Sequence, residues 1–210
     1  MMRRFILVLL VAAFAFGLVS QVSGETEPAF AASDMRSAER SAERGPDQIS
    51  GKPLYRKVRV QRYARSVGAT RYIKRTIPIY YRLARKRNIA PDVLVAQAMV
   101  ETGNGGYGGD SRPWNMAGIK KGGIVGDAPR DFERPKTARA GVRMHVNHMA
   151  AYMGKRPIGK PHDRYSDARA AQKSRGYWVR RIGQLGNGVW ATDSTYDRKI
   201  RRVLNDMGKR

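Results

Sequence analysis

The chain has 210 residues and no cysteine, and its 41 Lys and Arg against 17 Asp and Glu give a formal net charge of +24. Such a field draws in polyanions, which leaves nucleic acid, anionic lipid and acidic wall polymers as candidate partners. The missing thiols exclude disulfides, thiolate metal sites and cysteine nucleophiles, so the core alone must hold the fold.

The N-terminus reads MMRR and then FILVLLVAAFAFGLV from Phe5 to Val19. A spanning helix needs roughly 20 apolar residues, so this shorter run behind two arginines reads as a secretory signal peptide, with an uncleaved membrane anchor as the other reading. Small residues at Val22-Ser23-Gly24 and Ala29-Phe30-Ala31 place cleavage after residue 24 or residue 31. Residues 1–24 are thus expected to be a signal peptide, and the mature chain to be secreted or cell-wall associated with no integral membrane span. Export argues against nucleic acid as the natural partner.

Residues 25–66 read as a disordered, basic linker. The stretch MRSAERSAERGPDQISGKP is polar and holds a small SAER repeat, which offers little surface to bury. LYRKVRVQRYARS, residues 54–66, is a basic arm or a strand-like lead-in. Residues 67–210 then form one domain. In TRYIKRTIPIYYRLARKRN, the residues Tyr72, Ile73, Ile77, Tyr80, Tyr81 and Ala84 make one apolar helical stripe, with Pro78 as a kink or a start. Pro91-Asp92 is a helix start signal, and VLVAQAMVE is apolar nearly all round, the mark of a buried helix.

Gly103 to Gly109 stop that helix, and SRPWNMAGIKKGGIVGDAPRDFE reads as loops with a small hairpin. Thr137 opens a helix striped by Val142, Val146, Met149 and Met153. RYSDARAAQ is a further helix, and STYDRKIRRVLNDMG is the last, with Ser194 as its cap and Gly208 as its end. The fold class is therefore mostly α (α+β), with a small β-lobe or irregular insert.

One carboxylate stands out. Glu101 closes the apolar run in QAMVETGNGGYGG. A buried carboxyl keeps its proton, the state a general acid needs to protonate a glycosidic oxygen. Gln97, one turn earlier, is placed to orient it, and the glycines to let a polymer approach the backbone. A solvated charge at a frayed helix end is the other reading.

The motifs around Glu101 decide between them. Ala96-Gln97-Ala98, Glu101-Thr102-Gly103-Asn104-Gly105, Asn115-Met116-Ala117-Gly118-Ile119-Lys120 and Trp190-Ala191-Thr192-Asp193 with Tyr196 occur in order. With YIKRTIP upstream and the helix after Phe132, this series resembles the bacterial endo-β-N-acetylglucosaminidases of glycoside hydrolase family 73, peptidoglycan hydrolases of the autolysin type. The likeness spans residues 70 to 205. It implies a lysozyme-like helical domain with a cleft, cleavage of the bond between N-acetylglucosamine and N-acetylmuramic acid, Glu101 as the acid, and neither metal nor cofactor. Peptidoglycan and anionic wall polymers are the implied partners, and the enzyme is expected to act as a monomer.

Departures from the family pattern are specific. Trp190 stands where the family's first Tyr would be, so the phenolic role passes to Tyr196 or Tyr177. Thr102 replaces the usual Ser, and Ala117 a common aromatic. An inverting mechanism needs a second carboxylate about 6.5–9.5 Å away, and Asp127, Asp131 and Glu133 are the candidates. Assistance by the substrate's acetamido group would need none of them. Trp114, Asn115, Trp190 and Gln97 are the expected substrate contacts. His145, His148 and His162 lack the spacing of a metal site and read as a polar face or cleft lining. Two rival functions remain at this point: a lytic transglycosylase on the same polymer, and a non-catalytic cationic protein that binds cell wall or nucleic acid.

Overall fold

Six α-helices make up the architecture in the residues that a computed structural model of the chain describes, 45–107 and 113–210: α1 (Lys57–Ser66), α2 (Arg71–Leu83), α3 (Pro91–Glu101), α4 (Ala138–Tyr152), α5 (Arg164–Ser174) and α6 (Tyr196–Gly208). The mostly α expectation is met. The signal peptide, both cleavage sites and residues 25–44 of the expected linker lie outside the described residues. No helix among the described residues is long and apolar enough to cross a membrane.

The central element is α3. Every residue from Pro91 to Met99 is buried, as a helix without a polar face requires. Burying each of Val93, Leu94, Val95 and Met99 is worth roughly 1.5–3 kcal/mol. Pro91 sits at the start, where its missing N–H costs nothing. Asp92 is buried yet satisfied: its Oδ2 accepts from the Leu54 and Tyr55 amides at 2.7 and 3.2 Å, and its Oδ1 from the Val93 amide at 3.0 Å. α2 and α6 pack against α3; α4 packs on α2, and α5 on α4.

Thr70 caps α2 by accepting from the Tyr72 amide, and Thr137 caps α4 by accepting from the Ala140 amide. Pro78 neither starts nor ends a helix. It sits inside α2 on the exposed side, where water can reach the carbonyl left without an amide partner. Ser194 does not cap α6. Asp193 does the local work instead, its Oδ1 accepting from both the amide and the hydroxyl of Thr195 at 2.7 and 2.8 Å. Lys199 at 2.6 Å, together with Thr195, holds the Asp193 carboxyl down at about 2.

The linker boundary moves. Residues 57–66 are helix rather than a loose arm or a strand, and Val60, Tyr63 and Ala64 are buried, with α1 packed on α2 and α6. Those three fall at i, i+3 and i+4, which suffices for one apolar face while the arginines and lysine stay in water. Ile49 is also fully buried; its amide donates to the Arg180 carbonyl and its carbonyl accepts from the Ala90 amide. Residues 45–66, which the sequence reads as part of the linker, therefore pack with the domain.

The expected hairpin is reduced to a loop closed by one antiparallel bridge, Lys120 to Phe132. The Glu133 amide donates to the Ile119 carbonyl at 2.9 Å, and the Lys121 amide to the Asp131 carbonyl at 2.8 Å. Too many glycines and turns interrupt this piece for a strand ladder to propagate.

Candidate active site

Glu101 is the last residue of α3, so its side chain leaves the core where the helix stops. Its Oε1 accepts two hydrogen bonds, one from the Trp190 indole Nε1 at 2.8 Å and one from the Tyr196 hydroxyl. Burial raises the carboxyl's pKa, and these two donors pull it part of the way back. The other oxygen, Oε2, lies toward Gly118, 3.8 Å from where a Cβ would stand there. Gly118 has φ +57, which glycine adopts without strain.

Gly118 and Trp190 line a cleft of about 300 Å³, together with Ala117, Ile119, His148, Tyr152 and Arg164 among others. Trp190 forms its aromatic wall, with Tyr152 and His148 each 5.0 Å away between ring centroids. The loop from Gly186 to Ala191 is pinned by Leu185, whose carbonyl accepts from the Trp190 and Ala191 amides at 3.0 and 3.1 Å. The indole is thus held on the carboxylate by backbone bonds from the chain just before α6.

Behind Glu101 runs a buried polar chain. The Gln97 Nε2 donates to the Tyr196 hydroxyl at 3.0 Å, and the Gln97 Oε1 lies 2.9 Å from His145 Nε2. His145 Nδ1 lies 2.6 Å from the Tyr80 hydroxyl. Burial drives the His145 pKa down to about 3, so the ring is neutral at physiological pH.

The sequence candidates divide as follows. Glu101, Trp190 and Tyr196 meet, and Tyr196 rather than Tyr177 brings the phenol; Tyr177 lies instead in a pocket with Arg169 and Trp178. Gln97 touches Tyr196 but is fully buried, so its amide faces that phenol and not the cleft. Asn115 is also fully buried. Its Nδ2 donates to the Ile119 and Glu133 carbonyls at 2.9 and 3.1 Å, and its Oδ1 accepts from the Ile119 amide at 2.9 Å. It braces the insert and has no polar atom left for a sugar. Trp114 is half-buried at φ +68, packed edge-on against Tyr72 at 4.9 Å, and does not line the cleft beside Glu101.

Within the glycine run after Glu101, Gly103 has open space around it, whereas Gly105 has a packing role. A Cβ on Gly105 would stand 2.3 Å from Thr70 Oγ1, so this glycine lets the turn press against the start of α2. The glycine that borders the acid is Gly118, from the Asn115-Met116-Ala117-Gly118 turn.

The three candidate second carboxylates differ sharply. Asp127 is exposed and paired with Lys120 at 2.7 Å. Asp131 is engaged in its own turn, its Oδ2 accepting from the Ala128 amide at 2.9 Å. Glu133 alone takes no side-chain hydrogen bond from the described residues. Burial and then nearby Asp163 raise its pKa, and it lines a small pocket with Arg143, Asn147 and His162.

His145 is wholly buried rather than on a polar face or lining the cleft as the sequence suggests, and Tyr80 reads in the sequence only as part of an apolar stripe. A signal was present: His145 follows Val142 by three positions and precedes Met149 by four, so it falls on a buried stripe where an imidazole needs partners. No cluster of three His, Asp or Glu able to hold a metal occurs among the described residues.

A family model described as glucosaminidase, mannosyl-glycoprotein endo-beta-N-acetylglucosaminidase, matches residues 77–209. Searches of curated proteins and of solved structures gave no significant match.

Proposed function

Because the chain belongs to the glucosaminidase family, and is a peptidoglycan-directed glycoside hydrolase of the endo-β-N-acetylglucosaminidase type, we propose that it cleaves the β-1,4 bond from N-acetylglucosamine to N-acetylmuramic acid with Glu101 as general acid. The observation that carries this reading is the asymmetry of the Glu101 carboxyl. Oε1 is occupied by two donors, so the acid proton sits on Oε2, the oxygen on the Gly118 side. From there it is delivered to the glycosidic oxygen as the bond to the anomeric carbon breaks. Once Glu101 is ionised, Trp190 and Tyr196 stabilise the carboxylate.

Glu133 is the second carboxylate in this proposal, because Asp127 and Asp131 are committed elsewhere. It takes the proton of the water that attacks the opposite face of the sugar. The Trp190 ring is the sugar platform, and His148 packs beside it in the cleft wall. The enzyme acts as an exported, wall-associated monomer.

Product analysis of a peptidoglycan digest tests the proposal. New reducing N-acetylglucosamine ends are expected, with the anomer first formed inverted. Anhydro-muramic ends would identify a lytic transglycosylase instead, and tight binding without new ends a non-catalytic wall protein. A retained anomer would replace Glu133 by the substrate's own acetamido group.

The charge has its own consequence. Arg56, Lys57, Arg59, Arg62 and Arg65 are all exposed on or beside α1. Turnover of intact walls is expected to drop about tenfold or more between roughly 0.05 M and 0.5 M salt, as screening removes the field that concentrates the enzyme on an anionic polymer. Hydrolysis of short uncharged fragments should hold nearly constant. Parallel salt curves for the two substrates would contradict this.

A further inference from the structure

We propose that Tyr80, His145 and Gln97 form a one-way hydrogen-bond relay whose direction is set at Tyr80 and whose effect is to keep the Tyr196 hydroxyl donating to Glu101 Oε1. This rests on Glu101 being the acid. The relay makes Tyr80 and His145 positioning residues for that acid.

The direction follows from counting protons. Tyr80 is fully buried, and among the described residues its hydroxyl has one hydrogen-bond partner, His145 Nδ1. A buried phenol must place its proton, so Tyr80 donates to Nδ1. The neutral imidazole then carries its own proton on Nε2, 2.9 Å from Gln97 Oε1. That fixes the Gln97 amide with its NH₂ toward Tyr196, 3.0 Å away. With an N–H pointing at its oxygen, the Tyr196 phenol sends its proton onward to Glu101 Oε1.

The opposite polarity satisfies the middle of the chain equally well. Glu101 would then carry its proton on Oε1 and give it to Tyr196, Tyr196 would donate to Gln97, Gln97 to His145 Nε2, and His145 to Tyr80. In that state the acid proton faces the protein interior instead of the Gly118 side. It also leaves the buried Tyr80 proton with no acceptor. The structure thus selects the productive polarity through a residue that touches neither Glu101 nor the cleft. The titratable groups around the chain are Tyr107 near Tyr80, His148 and Tyr152 on α4, and Tyr196 on α6.

Tyr80→Phe removes the anchor and keeps the ring. The Gln97 amide is then free to turn its oxygen to Tyr196, and Glu101 loses a donor that favours its ionised form. The Glu101 titration, followed by ¹³C NMR of labelled carboxyls in the free enzyme, should move up by about one pH unit. kcat should fall several-fold with KM unchanged. His145→Phe, which cuts the chain one link later, should do the same. In the parent protein, ¹⁵N NMR should show His145 as the neutral Nε2–H tautomer, a readout that needs no variant. A His145 carrying its proton on Nδ1, or a Glu101 titration unmoved in folded Tyr80→Phe, would overturn the relay. These spectra do not depend on turnover. If Glu101→Gln stayed active, the acid assignment would be lost while the relay's direction could still be read.

Discussion

Glu101→Gln is expected to lower turnover of peptidoglycan by about 10³-fold or more while leaving the fold intact. The carboxamide has nearly the same shape and can still accept from Trp190 Nε1 and Tyr196 through its oxygen. What it cannot do is release a proton to a leaving oxygen. Stability should not suffer. Burial raises the Glu101 pKa in the folded state above its unfolded value, so between those two values the folded protein holds a proton that the unfolded chain has lost. The parent's stability therefore declines as pH rises through that window. Gln does not titrate, so the variant should match the parent at low pH and equal or exceed it at neutral pH. Circular dichroism and thermal unfolding at two pH values, beside a reducing-end assay, measure both halves. Parent-like turnover in the folded variant would remove Glu101 from the mechanism.

Asn115→Ala is the substitution with the largest expected effect on stability. Asn115 is wholly buried, and its amide holds the Ile119 and Glu133 backbones through three hydrogen bonds. Alanine leaves two carbonyls and one amide without that partner inside the protein, at about 3 kcal/mol in all. For a domain of this size that is a fall in Tm of about 10 °C. Asn115→Asp is the informative companion. It can still accept from the Ile119 amide but cannot donate to either carbonyl, and it faces both with like partial charge, so it should be no better than alanine. Since the same bonds set the position of Glu133, kcat measured well below either Tm should also fall. A Tm within about 2 °C of the parent would show that the insert holds its shape without this brace.

The sequence made the helices legible wherever apolar spacing was the whole signal. α3 has no polar face, and the stripes of α2 and α4 repeat at three and four residues, so periodicity alone places them. α1 escaped because its apolar face is only three residues wide and is crowded by arginine and lysine. Its burial depends on α2 and α6, which no local window contains. The same limit explains the site. Glu101 was legible because a carboxylate at the end of an apolar run is anomalous by itself. Gln97 and Asn115 were legible as important but not as buried, since an amide in a motif looks alike whether it meets a sugar or a backbone. The link from Tyr80 through His145 to Gln97 joins three helices and leaves only a faint local trace, an imidazole on an apolar stripe.

One consequence follows from the seam between α1 and α6. Arg59 Nη1 donates to the Gly208 carbonyl at 3.2 Å, and Tyr55 packs so closely on Gly208 that a Cβ there would stand 2.8 Å from its hydroxyl. The turn that leads into α1 is thus clamped to the last turn of α6, although Arg59 and Gly208 lie 149 residues apart in the chain. Shaving the Tyr55 ring in Tyr55→Ala should free that clamp, and hydrogen exchange at the amides of the last turn of α6 should quicken while the middle of the helix stays protected.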